Sequence, residues 1–325
     1  MNKRERLEAA MAGQSVDRVP VALWRHFPGD DQDPASLAAA TIAFQRRWDF
    51  DFVKVTPASS FQIKDWGAQD AWQGNIEGTR RYTYRPIERA GDWRKLKAQD
   101  ASSGALGAQL KCLKMIVEAL PEAPVIQTVF SPLAQMKNLG GERLLIDLRQ
   151  NTADFKAALE TITQSTLAFV REIAATGAAG IFYAVQYATS SLLSEAEFAE
   201  FGRDYDLRIL EATRDTWLNV VHLHGDNVYF DAVADYPMQV WNWHDRETGP
   251  SLADGLKKIA GAACGGIARD SVMLCGQPAA VRQQVADAIA QTNGRRTIVG
   301  TGCVTMIPTP EVNIRTAIEC AAEAI

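Results

Sequence analysis

GIFYAVQYATSSLLSEAEFAEFGRDYDLRILEATRDTWLNVVHLHG, residues 180–225, holds the unit from which the chain is built. It begins with an apolar run at 180–188, GIFYAVQYA, that reads as a β-strand, and ends with a second, LNVVHLHG, at 218–225. Between them the segment 194–216 reads as a helix and starts on a capping signal, Ser194 with Glu197 three residues on. Strand, helix, strand in this order demands a parallel pair, because the helix carries the chain back to start the next strand in the same direction.

The same unit recurs on both sides. Toward the N-terminus, PVIQTVFSP (124–132) is a strand between a helix at 104–119 and helices near 141–149 and 152–177; FDFVKVTP (50–57) and RVPVALWRH (18–26) flank a helix from about Pro34 to Arg47. Toward the C-terminus come MQVWNWHD (238–245), a weak GGIARD (265–270) and RTIVGTGC (296–303). A last helix starts near Thr309, with Pro310 in its first turn and Glu311 behind it. Eight strands separated by helices predict an α/β protein, a (β/α)8 TIM barrel forming a single domain over residues 1–325. The alternative is a doubly wound open sheet, but the first turn reads WRHFPGDD, without a dinucleotide glycine fingerprint, and no P-loop occurs. One stretch, 58–94, breaks the rhythm with aromatic, glycine- and arginine-rich sequence; the alternation in TRRYTYRPI predicts a hairpin excursion after the second strand.

Composition narrows the function classes. With 47% hydrophobic and 22% charged residues the chain can bury a large core, which excludes disorder. A net charge of −5 argues against nucleic acid as the main partner. The N-terminal MNKRERLEAAMAGQ reads as an amphipathic helix rather than a signal peptide, and no window approaches the roughly 18 apolar residues of a membrane span. Five cysteines, at 112, 264, 275, 303 and 320, are odd in number and without paired spacing, which suits reduced thiols in a cytoplasm. The expectation is a cytoplasmic protein acting on a small-molecule substrate, with no signal for its oligomeric state.

In a barrel the chemistry sits at the C-terminal ends of the strands. His222 and His224 end the 218–225 strand and, two residues apart, share one face. Cys303 ends the 296–303 strand, across the barrel mouth. Two imidazoles and a thiolate with an open fourth position are the usual design of a catalytic zinc; the alternative is hydrogen-bonded histidines beside a small apolar cysteine. Cys275, in VMLCGQP, competes for the sulfur position. His26 and His244 are candidates for acid, base or fourth ligand, or are simply satisfied histidines. Arg25, Lys54, Trp66, Gln127, Gln186, Tyr187 and Trp243 are candidates for substrate contact. For the tryptophans the alternative is core packing; for Lys54 it is pairing with Asp49 or Asp51. Asp226 either orients a metal-bound imidazole or caps its loop.

RVPVALWRH, DWGA, SEAEFAEFGRDY, HLHGDN and GTGCVTMIPTPEVNI together resemble the uroporphyrinogen decarboxylase superfamily, over nearly the whole chain. That superfamily also contains zinc methyltransferases that move a methyl group from a corrinoid to coenzyme M, and the resemblance implies a single barrel. The methyltransferase motif is His-x-Cys on one strand with a distant cysteine: His222 and Cys303 match, while His224 stands where the middle cysteine would be, which removes one thiolate. This branch implies zinc, a methyl-corrinoid co-substrate and a corrinoid protein as partner. The decarboxylase branch carries an arginine-rich RQAGR segment after the first strand; here only Arg25 remains, in WRHFPGDD, and a porphyrinogen with eight carboxylates calls for more positive charge. That branch implies a metal-free decarboxylase of uroporphyrinogen or a smaller carboxylate, with His26 or His244 as proton donor. A third reading is a non-catalytic tetrapyrrole-binding module with an axial histidine.

Overall fold

In the computed structural model, which describes residues 1–323, the apolar runs become seven parallel strands, with two more in a separate hairpin. In chain order the strands are β1 (Val53–Val55), the hairpin strands β2 (Gln69–Ala71) and β3 (Arg81–Tyr84), then β4 (Val125–Phe130), β5 (Gly180–Val185), β6 (Val220–Leu223), β7 (Val240–Trp243), β8 (Ala262–Ile267) and β9 (Thr297–Thr301). The large sheet runs β1-β4-β5-β6-β7-β8-β9, so each crossover leads to the neighbouring strand, and every residue in it is buried. Burial on both faces is why these runs are continuously apolar rather than alternating.

Alternate residues face opposite sides of the curled sheet. Tyr183, Val185, Val221, Leu223, Trp241 and Trp243 join the helices in one apolar cluster, whereas Phe182, Val220, Val240, Ala262, Cys264 and Ile298 form another with Trp24 and Phe52. The weak seventh run is a strand at Ala262–Ile267, a few residues earlier than expected; its small residues AACGGI carry little strand propensity of their own.

The expected first strand, RVPVALWRH, is present only as one parallel bridge between Val21 and Val299, so seven strands stand where eight were expected. Pro20 has no N–H to donate and interrupts the ladder. Its carbonyl accepts from Val299 N–H (2.8 Å), Ala22 N–H donates to the Val299 carbonyl (3.0 Å), and on the other side Asp51 N–H donates to the Val21 carbonyl (2.9 Å). Asp51 fixes this segment further. Its fully buried carboxylate accepts from Val21 N–H (2.7 Å), Arg6 Nη1 (2.8 Å) and both Arg18 nitrogens (2.8 and 2.9 Å).

Helices occupy Pro34–Trp48, Gly104–Ala119 and Thr152–Ala175, close to their expected ranges. The 194–216 helix keeps its Ser194/Glu197 capping box but is broken into Glu195–Phe198, a π turn at Ala199–Arg203, and Asp204–Glu211. Asp206 there is buried between the hydroxyls of Tyr183 (2.6 Å) and Tyr236 (2.9 Å), and burial pushes its carboxyl up to about 7. Among the described residues no helix is long and apolar enough to cross a membrane.

The 58–94 excursion contains the expected hairpin, β2 against β3, and reaches the end of the sheet where the strands finish. Gly78, at φ +87°, makes this approach feasible: a Cβ there would lie 2.5 Å from the His26 Cβ. Ile307 N–H donates to the Ile76 carbonyl (2.8 Å), tying the excursion to the loop after β9.

Candidate metal centre

Period-two geometry brings three strand ends together. β6 presents His222 and then His224, β7 presents Asn242 and then His244, and β9 presents Thr301 and then Cys303. One potential ligand atom from each of His222, His224, His244 and Cys303 lies within 4.8 Å of the others. Ring centroids are 5.6 Å apart for His222 and His224, 6.1 Å for His222 and His244, and 5.2 Å for His224 and His244. His224 Nδ1 is 3.7 Å from the Cys303 sulfur. Gly302 allows the close approach of β9 to β7, since a Cβ there would lie 2.7 Å from the Trp243 carbonyl oxygen and the His244 Cα.

Asn242 sets the tautomer of His222. The two residues face each other in the β6–β7 register, and Asn242 Oδ1 is 2.6 Å from His222 Nδ1. The Asn242 amide nitrogen donates to the carbonyls of Cys264 (2.8 Å) and Thr301 (3.0 Å), so its oxygen must be the atom facing the imidazole. Nδ1 of His222 therefore carries the hydrogen and Nε2 offers its lone pair, the arrangement in which an outer hydrogen bond fixes a metal-binding histidine. The second orienting group expected, Asp226, is exposed and instead lends its backbone carbonyl to Thr189 Oγ1 (2.5 Å).

The donor set fits zinc. Nitrogen and sulfur donors are its preferred ligands, and the buried Nε2 of His244 has no hydrogen-bond partner, a costly state that a metal would relieve. Burial raises the Cys303 thiol, but the neighbouring imidazoles, His222 first, outweigh it and hold the thiol well below its usual range. Burial lowers His222, whereas at His224 the hydrogen bond and charge of Cys303 overcome burial and raise the imidazole. The lowered thiol favours the thiolate, the form that binds a metal.

Beside the cluster lies a cavity of about 270 Å³ lined by His222, His224, Cys303 and, among the other expected residues, His26, Lys54, Gln186 and Tyr187. Trp24, Phe130 and Phe182 form its apolar wall, and the excursion contributes Glu77, held by an ion pair to Arg269. His26 is driven down to about 3 by burial and then by Lys54, so its imidazole is neutral at neutral pH and a poor general acid. Burial pushes the Tyr187 phenol up to about 12.

Other expected residues lie elsewhere. Arg25 turns away from the cavity, stacking over Phe27 and Phe44 and donating to the Ile307 carbonyl (3.3 Å). Gln127 accepts from Gln109 (2.9 Å) and donates to the Thr128 carbonyl on the helix side of β4. Trp243 is fully buried among the helices, its indole donating to the Pro250 carbonyl (2.8 Å). Trp66 donates to the Lys97 carbonyl (2.8 Å), outside the cavity. Cys275 is exposed and apart from the cluster. Asn242 was not anticipated, although Asn-x-His in WNWH repeats the spacing of His-x-His in VHLH.

Fold and site together define an α/β protein with a buried His/Cys centre at the strand ends. The model of the uroporphyrinogen decarboxylase (URO-D) family matches residues 2–324, and the chain belongs to that family. A methyltransferase from Methanosarcina mazei is similar in structure, with a TM-score of 0.86 at 17% identity, covering 99% of this chain and 99% of that one. A B12-independent methionine synthase from Shewanella sp. W3-18-1, solved with selenomethionine, has a TM-score of 0.62 at 11% identity, covering 94% of this chain and 97% of that one. At such identities the likeness is one of fold. No curated protein matches the chain in sequence.

Proposed function

We propose that this chain is a methyl-transfer enzyme in which His222, His224 and Cys303 would hold one zinc ion, with His244 as a further ligand behind them. The observation that carries this reading is the convergence of four ligand atoms within 4.8 Å, three of them from residues that line a cavity. Bound there, zinc would supply a Lewis acid that keeps a substrate thiol deprotonated or polarises a substrate oxygen. Asn242 holds His222 in the tautomer whose Nε2 faces the site. Trp24, Phe130 and Phe182 exclude water from the substrate, while Gln186 and Tyr187 offer it hydrogen bonds. The methyl donor in this reading is a methyl-corrinoid carried by a corrinoid protein, and the 20–22 segment completes a (β/α)8 barrel in a cytoplasmic, single-domain enzyme. The M. mazei methyltransferase supports the reading through its fold.

The decarboxylase reading has less support. Arg25, its expected carboxylate clamp, points away from the cavity, His26 is a neutral imidazole and a poor acid, and about 270 Å³ is too little for a porphyrinogen. The test is to incubate zinc-loaded protein with methylcob(III)alamin and small thiols and follow loss of the methyl-cobalt absorbance. Thiol-dependent demethylation that disappears in Cys303→Ala is the expected result. No demethylation, with carbon dioxide released from a carboxylate substrate, would replace the transferase reading with the lyase.

A further inference from the structure

Lys54 is the second unusual group in the cavity, and the transferase reading gives it no role. It lies on β1 with its side chain buried, and its amine lines the same cavity as Cys303. An ammonium has three hydrogens to donate; here its partner is the Thr56 hydroxyl at 3.3 Å. Among the described residues no carboxylate reaches it. Asp51 is taken by Arg6 and Arg18, Asp49 by Lys3, and Glu77, across the cavity, by Arg269. What surrounds the amine is aromatic: it stands 4.6 Å from the Phe182 ring centroid and 5.9 Å from that of Trp24. The one counter-charge acting on it is Cys303, which makes no hydrogen bond to the amine, and a buried cation without a bonded counter-ion is costly. The fold bears that cost at a point on the wall of a cavity.

We propose that Lys54 anchors an oxyanion head group, a carboxylate or a sulfonate, of the small substrate that fills this cavity. The spacing suits a short bifunctional molecule. Phe182 stacks on His222 with centroids 5.2 Å apart, so through that one ring the Lys54 amine lies no more than about 10 Å from the His222 ring. A head group on Lys54 would therefore lay a short apolar spacer along Phe182 and deliver the far end of the substrate to the His/Cys cluster. Only the identity of that far end rests on the transferase reading; the anchor itself rests on the unpaired amine and the cavity. Burial also lowers the amine to about 7, so an arriving oxyanion would restore its charge.

The test is calorimetric titration of wild type, Lys54→Met and Lys54→Arg, each metal-free and cobalt(II)-loaded, with 3-mercaptopropionate, 2-mercaptoethanesulfonate and the uncharged 3-mercaptopropan-1-ol. Wild type is expected to bind one of the anions about tenfold or more tightly than the alcohol in both metal states. Lys54→Met should level the three ligands, and Lys54→Arg should keep part of the preference. The tighter anion tells carboxylate from sulfonate. Equal affinities in wild type, or a preference that survives in a folded Lys54→Met, would overturn the anchor. The cobalt absorption recorded in the same titration reports on the centre separately. An anion preference lost in Lys54→Met without any thiol-induced change in the cobalt bands keeps the anchor and removes the metal reading; changed bands without an anion preference do the reverse.

Discussion

Replacing Lys54 with methionine should make the protein more stable while blunting its cavity's selectivity. Burial lowers the Lys54 amine from 10.5 to about 7, with the Cys303 thiolate pulling the other way. No carboxylate pairs with the amine to soften the cost further. At about 1.36 kcal/mol per pKa unit the shift corresponds to a burial cost on the order of 4–5 kcal/mol. The sign follows from linkage. The folded-state pKa lies below the unfolded one, so between about pH 7 and 10.5 the unfolded chain binds the additional proton, and stability rises with pH across that window. The full cost is present below about pH 7 and is gone above about pH 10.5. Methionine has a similar length and no charge; with water in the cavity taking up part of the cost, we expect Lys54→Met to be more stable by about 2–4 kcal/mol near pH 6.5 and nearly equal to wild type near pH 10. Urea denaturation of the metal-free proteins at several pH values measures this directly. A variant less stable than wild type near pH 6.5, or one with an unchanged pH slope, would refute the view of Lys54 as an unpaired buried cation.

Three further perturbations follow from the geometry. Asn242→Ala frees the His222 tautomer and should weaken metal binding about 10–100-fold in competition with a chelator, without unfolding the chain. Asp51→Ala strips Arg18 of its carboxylate, leaves Arg6 with Asp17 alone and releases the 20–22 segment; denaturant titration should show a loss of about 3–5 kcal/mol. Asp206, raised to about 7 by burial, contributes most below its unfolded pKa near 4 and loses that contribution as pH rises through 7, so Asp206→Asn should flatten the decline in stability between about pH 4 and 7.

Much of this was legible in the sequence because burial on both faces forces apolar runs, and helices separate them at regular intervals. The His222/His224 pair and Cys303 could be read as one site because strand ends converge in a parallel sheet of this kind. Three of the misplaced residues, Arg25, Gln127 and Trp243, share one cause, the parity of the strand. Trp24 and His26 line the cavity, so Arg25 between them faces away; Thr128 lines it and Ile126 belongs to the inner cluster, so Gln127 faces the helices. His244 faces inward, and Trp243 beside it cannot. Fixing parity from the histidines would have rejected Arg25, Gln127 and Trp243 and pointed to Asn242. The first strand failed for a different reason, a proline at position 20 whose missing N–H leaves one bridge where a ladder was expected. Trp66 and Asp226 sit outside strands, where no periodicity could place them.

The central claim is that His222, His224 and Cys303, with His244, form a metal site. Elemental mass spectrometry on protein purified without a histidine tag, wild type beside Cys303→Ala, tests it most directly. About one zinc per chain is expected in wild type and its loss in Cys303→Ala, since a sulfur ligand is removed from a four-ligand set. No metal in either protein, or zinc retained undiminished in a folded Cys303→Ala, would contradict it.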